Sequence, residues 1–573
     1  MTLTPERLAE LLAKARAAST IKAMPIENNE EIEDNLKPQD IEDINALAAV
    51  ETVGMHGETI TYNIAQQAFI DLGTSGQSAV LLGAAGTGKS TCQRGVVSSL
   101  IQHNKAGLLV DDGHKHLPSG TPGIVVCAYT RRAVNNIRKV MPADMRANCI
   151  TIHKLLEYAP VYYSEWSEAL GKDVNTMRFE PTRNPINPLS NSITTIVFEE
   201  SSMIATELYA EVLAALGHNV QFIFIGDIQQ LPPVFGSAVL GYKMLELPVV
   251  ELTEVYRQAL ESPIIRLAHR ILSGKVILPE ELSSWEVPGE LKLHPWKKKL
   301  SVDLGILTIA KFFSVAIDSG AYNHKEDMIL IPFNKSFGTD EVNKYIAQHL
   351  TSLSKEPVHE IIAGFNKHYY AVGDRVMFEK EDATIIGIAM NGTYVGAKYL
   401  TASPLLDRWG NYREDKDAST EKATHVESTE ADIDAMLDNM SFTGSDAEDR
   451  TREASHTITL LLHDSEEEVT INSAAAINSL ALGYAMTVHK AQGSEARKVF
   501  VIFHESHATM MCRELLYTAV TRAREELYVI CTPDTFVKGI ERQKIKGNTL
   551  AEKAEFFKGS IERKEQQTKL IKL

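Results

Sequence analysis

The chain has 573 residues, with 58 Lys and Arg against 75 Asp and Glu, which gives a formal net charge of −17. This length predicts several domains, and the 34 Gly, 21 Pro and five Cys exclude the collagen-like, disulfide-scaffold and wholly disordered classes. The cysteines are scattered without a CxxC pair, so we expect a reducing compartment and no structural zinc. At face value, the net charge also argues against a polyanionic partner.

Two acidic segments carry most of that charge. Residues 27–43 contain eight acids and one base, and residues 407–453 contain fourteen acids and six bases, which leaves only −2 for the rest of the chain. The second segment is polar and poor in aromatic residues, so we predict a mobile surface insertion. Both segments are candidates for docking basic protein partners or for repelling polyanions from unproductive surfaces.

The N-terminal sequence MTLTPERLAELLAKARAAS has the pattern of an amphipathic helix and lacks the apolar core of a signal peptide. No apolar run reaches the roughly eighteen residues of a membrane span. We therefore expect a cytoplasmic protein without a membrane partner. At the other end of the chain, the basic tail 544–572 is interpreted as a solvated helix.

Short apolar runs recur between helical stretches along the chain. Most are continuous rather than alternating, which is typical of strands buried on both faces of a parallel sheet. The predicted strands are residues 79–82, 123–127, 195–198, 222–225, 328–331, 499–503 and 527–530. Strands separated in this way by helices indicate more than one α/β unit.

Residues 345–480 have a different pattern. Segments 369–378, 392–395 and 456–462 alternate or cluster β-forming residues around glycine. This pattern predicts a small antiparallel β domain.

A glycine-rich loop follows the first predicted strand and precedes a helical run. Its sequence has the pattern G-x-x-x-x-G-K-[ST] and reads Gly83, Ala84, Ala85, Gly86, Thr87, Gly88, Lys89, Ser90, Thr91. Glycines let successive backbone N–H groups face phosphate oxygens at a helix N-terminus, so residues 83–91 are predicted to bind ATP or another NTP. Lys89 is expected to reach the terminal phosphates, and the Ser90 hydroxyl is a candidate ligand of Mg²⁺.

Two acidic residues, Glu199 and Glu200, follow the predicted strand 195–198. They lie where the carboxyl end of a parallel strand opens into the ligand crevice of a sheet. Phosphoryl transfer needs a carboxylate near the metal and a residue that positions water. One of the two is therefore a candidate metal ligand and the other a candidate for polarising water, whereas an acidic pair without this context is usually a solvated strand end.

The segment 226–234, GDIQQLPPV, resembles the third motif of the RecD-like and Dda-like branch of the superfamily 1 helicases. The resemblance extends from about residue 60 to 532, and the other motifs follow in the order of the family. They are segments 63–66, 127–133, 151–156, 252–258, 487–495 and 516–524, with 373–377 and 391–396 bracketing the β insertion of the family. The continuation Leu-Pro-Pro-Val of the third motif resembles enzymes that move from 5′ to 3′.

This resemblance implies an α/β fold with two RecA-like parallel-sheet motor domains. A small pin-bearing insertion is expected in the first domain and an SH3-like β insertion in the second. The expected boundaries are 1–50 for a helical and acidic extension, 51–255 for the first domain with its insertion at about 157–191, 256–344 with 481–573 for the second domain, and 345–480 for the β insertion.

The resemblance also implies roles around the nucleotide. Glu199 stands where the family usually has Asp in the Mg²⁺ shell, and Glu200 keeps the position of the catalytic base. Because Mg²⁺ demands near-ideal octahedral geometry, the longer Glu199 must retract or bind through water, and we expect slower turnover or an altered metal preference. Gln66 resembles the glutamine that reads adenine, although the adjacent Gln67 leaves the register open. Gln230 is expected to link γ-phosphate sensing to DNA.

Two arginines in the second domain, Arg257 and Arg522, are predicted to reach the γ-phosphate. A guanidinium group can neutralise several oxygens of a transferring phosphoryl group at once. Gly493 and Glu495, in the fifth motif, complete the predicted nucleotide site.

The residues predicted to contact single-stranded DNA are Thr130, His153, Thr487 and His489. Three aromatic residues of the first insertion are candidates for strand separation, namely Tyr162, Tyr163 and Trp166. The alternative is that these aromatic residues pack a small subdomain.

The leading hypothesis is an ATP-dependent DNA helicase or translocase that uses ATP and Mg²⁺. It would move from 5′ to 3′ on single-stranded DNA and unwind forked or tailed duplexes in replication, recombination or repair, in a bacterial or phage-infected cell. One alternative is a DNA-stimulated ATPase switch that loads or remodels partners without unwinding, and another is a weakly hydrolysing subunit of a larger complex. The net charge is no objection, because local charge governs DNA contact.

Overall fold

The computed structural model describes residues 51–53, 59–103, 106–110, 113–167, 172–234, 236–255, 261–277, 281, 284–295, 301–335, 337–354, 356–364, 366–378, 381–391, 399–400, 453–463 and 467–571. The predicted extension 1–50, the acidic segment 27–43 and all but the last residue of 407–453 lie outside these residues, as does the predicted β segment 392–395. Within the described part, no helix is both long and apolar enough to cross a membrane.

The first domain contains a six-stranded sheet whose strands alternate with helices. Its elements are β1 (Glu51–Val53), β2 (Thr59–Thr61), α1 (Ile64–Thr74), β3 (Ala79–Gly83), α2 (Lys89–His103), β4 (Ile124–Ala128), α3 (Arg131–Val140), β5 (Cys149–Thr151), α4 (Ile152–Leu155), β6 (Tyr158–Ser167), β7 (Lys172–Pro181), β8 (Thr195–Phe198), α5 (Thr206–Ala214), β9 (Gln221–Gly226), α6 (Val239–Glu246) and β10 (Val249–Leu252). The sheet order is β10-β3-β9-β8-β4-β5, and every pairing is parallel.

Alternate residues of the central strands enter two apolar cores on opposite faces of this sheet. Val80 and Leu82 pack on one face, while Ala79 and Leu81 pack on the other. Strands β3, β4 and β8 are buried along their whole length. This burial explains the continuous apolar runs and confirms the prediction of a parallel sheet.

The insertion of the first domain is a β-hairpin. Strands β6 and β7 pair antiparallel from Tyr158 opposite Pro181 to Ser167 opposite Lys172. The hairpin lies within the segment 157–191 that was expected to carry the pin.

The second domain begins with elements that precede the β insertion. They are α7 (Pro263–Leu272), β11 (Leu291–Pro295), α8 (Val302–Asp318), β12 (Met328–Ile331) and α9 (Thr339–Leu353). Helix α9 continues past the expected boundary at residue 344, and Ile346 and Ala347 pack in the core of the second domain. This part of the second domain therefore extends to about residue 353.

In the described residues of the β insertion, two antiparallel sheets accompany one short helix. Its elements are β13 (Val358–Ala363), β14 (Asn366–Ala371), β15 (Arg375–Phe378), β16 (Glu381–Met390), β17 (Tyr399–Leu400), β18 (Glu453–Leu462), β19 (Glu468–Ser473), α10 (Ala474–Asn478) and β20 (Ala481–Leu482). The sheet orders are β14-β13-β17 and β19-β18-β16-β15-β20, and both sheets contribute to one apolar core. Within the predicted β segment 369–378, a turn at Gly373, with φ of 93°, separates β14 from β15. The SH3-like topology stays a prediction.

The second domain is completed by β21 (Ala485–Thr487), β22 (Ala496–Phe503), α11 (Arg513–Val520), β23 (Ala523–Cys531), α12 (Pro533–Glu541) and α13 (Leu550–Ile571). Its five strands are parallel in the order β11-β23-β22-β12-β21. The architecture is therefore α/β with two RecA-like parallel-sheet domains, as expected.

Helix α13 packs on the first domain instead of extending into solvent. Phe557 is buried against Tyr242 of α6, with ring centroids 5.7 Å apart. A Cβ atom on Gly241 would lie 2.2 Å from the Phe557 ring, so only glycine permits this approach. The prediction of a solvated tail is wrong for this half of the helix, since its apolar face completes the core of the first domain.

Candidate active site

The phosphate-binding loop joins β3 to α2 in a conformation that depends on its glycines. Gly86 and Gly88 have φ values of 81° and 84°, in the left-handed region that side chains disfavour. A Cβ atom on Gly83 would lie 2.4 Å from the Thr87 hydroxyl oxygen. That hydroxyl donates to the Ala84 carbonyl at 2.9 Å and closes the loop.

Lys89 and Ser90 begin helix α2 at the end of this loop. The Lys89 ammonium donates to the carbonyls of Gly83 and Ala84 at 2.9 and 3.1 Å, so it lies across the mouth of the loop. Ser90 is exposed on the first turn, and Thr91 follows it, half-buried. The ammonium group and the helix N-terminus thus meet at one place, which suits a polyphosphate.

The predicted carboxylates follow β8 at the carboxyl edge of the sheet. Glu199 and Glu200 each have a buried carboxylate oxygen that, among the described residues, has no hydrogen-bond partner. Burial, together with the charge of Glu200, raises the pKa of Glu199 to about 8, and Lys89 partly offsets this. Glu200 adopts a left-handed conformation with φ of 49°, which costs about 1 kcal/mol and is typical of functional sites.

These residues fit a bound Mg²⁺ ion. Mg²⁺ prefers oxygen ligands, and the unpartnered oxygen of Glu199 and the exposed hydroxyl of Ser90 supply them. An ion there would also remove the cost of a buried carboxylate without a partner.

The third motif lies next to this carboxylate pair and binds the second domain. Asp227 is buried and accepts hydrogen bonds from the Gln229 N–H at 2.9 Å and the Tyr517 hydroxyl at 2.6 Å. Gln230 is also buried, and its side-chain oxygen has no partner within the described ranges. The Leu231 N–H donates to the Thr518 hydroxyl at 3.0 Å.

Arg522, at the end of the motif-six segment, is held inside its own domain. Its guanidinium donates to the Thr518 carbonyl at 2.9 Å, the Ser494 carbonyl at 3.2 Å and the Thr521 hydroxyl at 3.2 Å. The second predicted arginine, Arg257, lies outside the described residues. A role of Arg522 at the γ-phosphate stays a prediction.

The cap of helix α1 bears on the choice between Gln66 and Gln67 as the predicted adenine-reading glutamine. Asn63 and Gln66 form a reciprocal capping box, whereas the Gln67 side chain donates to Asp71 at 2.7 Å. Gln66 is buried, and its carbonyl accepts from the Cys92 thiol of helix α2. These contacts favour Gln66 over Gln67.

The predicted DNA contacts of the first domain lie at the N-termini of α3 and α4. Thr130 caps α3 by accepting from the Ala133 N–H at 3.1 Å. The His153 ring lies edge-on to Tyr129 and Tyr158, at centroid distances of 5.5 and 5.0 Å.

The fifth motif of the second domain meets helix α3. A Cβ atom on Gly493 would lie 2.8 Å from the Thr130 hydroxyl, and the Gly493 carbonyl accepts from the Asn136 amide at 3.2 Å. The structure thus places Gly493 beside a predicted DNA contact, while Glu495 is exposed. These two assignments to the nucleotide site stay predictions.

Two further predicted DNA contacts lie in the same motif. Thr487 is buried and accepts from the Lys490 N–H at 3.3 Å. Burial, with a smaller contribution from Lys544, lowers the pKa of His489 to about 4, so its ring is neutral near pH 7. A neutral ring is suited to stacking or hydrogen bonding rather than to ion pairing.

Among the strand-separation candidates, Tyr163 donates its hydroxyl to Glu180 at 2.7 Å within the hairpin. This contact favours the packing alternative for Tyr163. The side chains of Tyr162 and Trp166 lie outside the described part.

The sequence reasoning missed two residues that join the domains, Arg132 and Tyr517. Arg132 donates to the Ser494 hydroxyl at 2.8 Å and forms an ion pair with Asp382 at 3.2 Å, so it contacts the second domain and the β insertion. The Tyr517 hydroxyl reaches the phosphate-binding loop. Both residues lie inside recognised motifs, and their partners are more than 200 residues away in the sequence.

A phosphate-binding loop on the first of two RecA-like sheets is typical of P-loop NTPases of the two-domain motor type. Residues 66–236 match the AAA domain family, and residues 482–530 match the UvrD-like helicase C-terminal domain. The chain is 27% identical over 472 residues to the ATP-dependent RecD2 DNA helicase of Deinococcus radiodurans, covering 82% of this chain and 49% of that protein. It therefore spans about half the length of that relative.

A second curated relative and a solved structure are also similar to this chain. The RecBCD enzyme subunit RecD of Buchnera aphidicola is 21% identical over 480 residues, covering 80% of this chain and 71% of that protein. The crystal structure of Pif1 helicase from Candida albicans superimposes with a TM-score of 0.43 at 16% identity, covering 88% of this chain and all of that one. These matches make the chain similar to the RecD-like superfamily 1 helicases.

Proposed function

We propose that this chain is an ATP-dependent DNA helicase that moves from 5′ to 3′ on single-stranded DNA and unwinds tailed or forked duplexes in replication, recombination or repair. The observation that carries the proposal is a hydrogen-bonded path between the candidate nucleotide and DNA sites. The Leu231 N–H donates to Thr518, and the Leu231 carbonyl accepts from the Gln492 amide at 2.8 Å. The adjacent Gly493 is bound by Asn136 of α3, the helix that Thr130 caps.

Hydrolysis depends on groups that lie at the edge of the first sheet. Lys89 exchanges the loop carbonyls for phosphate oxygens, and Glu200 orients the attacking water and accepts its proton. Ser90 and Glu199 would hold Mg²⁺, which when bound supplies positive charge to the phosphates.

Arg522 supplies a link between hydrolysis and domain movement. To reach the γ-phosphate, its guanidinium must leave the carbonyls of Thr518 and Ser494. Ser494 is also bound by Arg132 of α3. The exchange would therefore loosen the contact between the fifth motif and α3, and repeated closing and opening would move the DNA strand between the domains.

A polarity-resolved unwinding assay tests the proposal. Duplexes with a 5′ tail, a 3′ tail or a fork are incubated with ATP and Mg²⁺, and strand displacement is measured beside ATP turnover. We expect displacement only with a 5′ tail or fork, and we expect Lys89→Ala to abolish turnover and displacement. Displacement from the 3′ tail would overturn the polarity. DNA-stimulated turnover without displacement on any substrate would favour the ATPase switch.

The partner assignments form part of the proposal. The acidic segments 27–43 and 407–453 are candidate docking sites for basic proteins, in a cytoplasmic enzyme of a bacterial or phage-infected cell. Deleting 407–453 should leave unwinding intact and weaken binding to such a partner. Unchanged partner binding would make the segment a passive insertion.

A further inference from the structure

The Tyr517 hydroxyl is one of the second-domain groups that contact the phosphate-binding loop. Tyr517 lies on α11 and is fully buried. Its hydroxyl accepts from the Ala85 N–H at 2.7 Å and donates to Asp227 at 2.6 Å. The Ala85 carbonyl lies 3.3 Å from the His269 ring nitrogen, so second-domain side chains hold both polar groups of this residue.

The direction of these hydrogen bonds is fixed by chemistry. An amide N–H can only donate, so the Tyr517 oxygen accepts from Ala85 and its proton goes to the Asp227 carboxylate. Burial and the nearby Asp227 raise the pKa of Tyr517 well above its ordinary value, so the proton stays on the hydroxyl. A phenylalanine at this position could form neither hydrogen bond.

Tyr517 shares a helix with groups that the proposed function uses. The next residue, Thr518, accepts from the Leu231 N–H through its hydroxyl and from the Arg522 guanidinium through its carbonyl. The hydrogen bond between Tyr517 and Ala85 therefore fixes α11 relative to the phosphate-binding loop, and with it the distance of Arg522 from that loop. A small displacement of a reacting group can cost about a hundredfold in rate.

We propose that Tyr517 is a positioning residue that sets α11 on the phosphate-binding loop, so that domain closure delivers Arg522 to the γ-phosphate. The inference rests on the proposed function. Tyr517 acts through Ala85, Asp227 and Arg522 and does not itself touch the nucleotide. Loss of its hydroxyl should lower the rate of hydrolysis more than the affinity for ATP.

Tyr517→Phe tests this role beside a matched control, Tyr322→Phe. Tyr322 is also buried, and its hydroxyl has no hydrogen-bond partner in the part of the chain that the structure describes. With single-stranded DNA present, we expect Tyr517→Phe to lower kcat for ATP about tenfold or more and to change the Kd of a fluorescent ADP analogue less than about threefold. Tyr322→Phe should match the unsubstituted protein.

A second variant keeps the test decisive if Tyr517→Phe folds poorly. Asp227→Asn retains the tyrosine and removes the charged acceptor, and it should reduce kcat in the same direction. The kcat of the double variant, Tyr517→Phe with Asp227→Asn, should be no lower than that of the more impaired single variant, because both changes break the same hydrogen bond. Unchanged kcat in Tyr517→Phe, or a loss confined to nucleotide affinity, would overturn the inference alone, whereas an inactive unsubstituted protein would overturn the proposed function as well.

Discussion

The carboxylates of the candidate nucleotide site and the Asp382 carboxylate of the β insertion have opposite surroundings. Glu199 and Glu200 each retain an oxygen without a hydrogen-bond partner in the described part, and burial raises the pKa of Glu199 to about 8. Burial would also raise the pKa of Asp382, but the Arg375 guanidinium holds it well below its usual range. Arg375 donates to both Asp382 oxygens at 2.9 and 3.0 Å, and Arg132 adds an ion pair at 3.2 Å.

This difference in hydrogen bonding distinguishes carboxylates with an expected functional role from a carboxylate with an expected structural role. A buried carboxylate without a partner lowers stability, so its retention indicates a ligand that supplies the missing contacts. A buried carboxylate with every contact in place stabilises one arrangement of the chain, and removal of one partner leaves an uncompensated charge. Changes at Glu199 and Glu200 should therefore affect catalysis, and changes at Asp382 should affect stability.

The largest expected effect is at Glu200. Glu200→Gln should lower ATP turnover about a thousandfold, because the amide cannot accept the proton of the attacking water. The free energy of unfolding in urea should not fall. Glu246→Gln, an exposed change in the same domain, is the control and should leave both quantities unchanged. A Glu200→Gln protein with normal turnover would remove this residue from catalysis.

Asp382→Asn should give the opposite result. We expect the free energy of unfolding to fall by about 3 kcal/mol, because the buried Arg375 loses its charged partner. ATP turnover per folded molecule should change much less than in Glu200→Gln. Urea unfolding and active-site titration measure the two quantities. Unaltered stability would show that Arg375 finds another partner and that the pair is not structural.

The sequence predicted where the local parts of this candidate site lie and missed the distant ones. Lys89, Ser90 and the acidic pair lie at strand and helix ends, where short patterns determine both structure and chemistry. Tyr517 and Arg132 acquire their roles from partners far away along the chain, which no local pattern reveals. For the same reason the packing of Phe557 on Gly241 could not be predicted, since it depends on how the C-terminal helix returns to the first domain.

The raised pKa of Glu199 predicts a pH dependence of the metal-free protein. The folded state binds more protons than the unfolded state between about pH 4.5 and 8, so stability should fall as pH rises through this window, by up to about 5 kcal/mol. Urea unfolding in EDTA measures this slope, and Glu199→Gln should flatten it. Mg²⁺ binding displaces the proton, so the affinity for Mg²⁺ should rise toward pH 8. An equal slope in Glu199→Gln would contradict the assignment.

The smallest effect is expected when one methylene is removed from Glu199. Glu199→Asp restores the side chain usual in the family, and its carboxylate can meet the octahedral geometry of Mg²⁺ without retracting, so ATP turnover should be retained or raised. The reciprocal change Asp382→Glu should be tolerated less well, because Arg375 and Arg132 fix the position of that carboxylate from two sides. Turnover with Mg²⁺ and with Mn²⁺, measured beside urea unfolding, distinguishes the two sites. A collapse of turnover in Glu199→Asp would mean that the protein requires the longer side chain at this position. The carboxylate of Glu199 would then have a structural role in the loop and would not be a metal ligand.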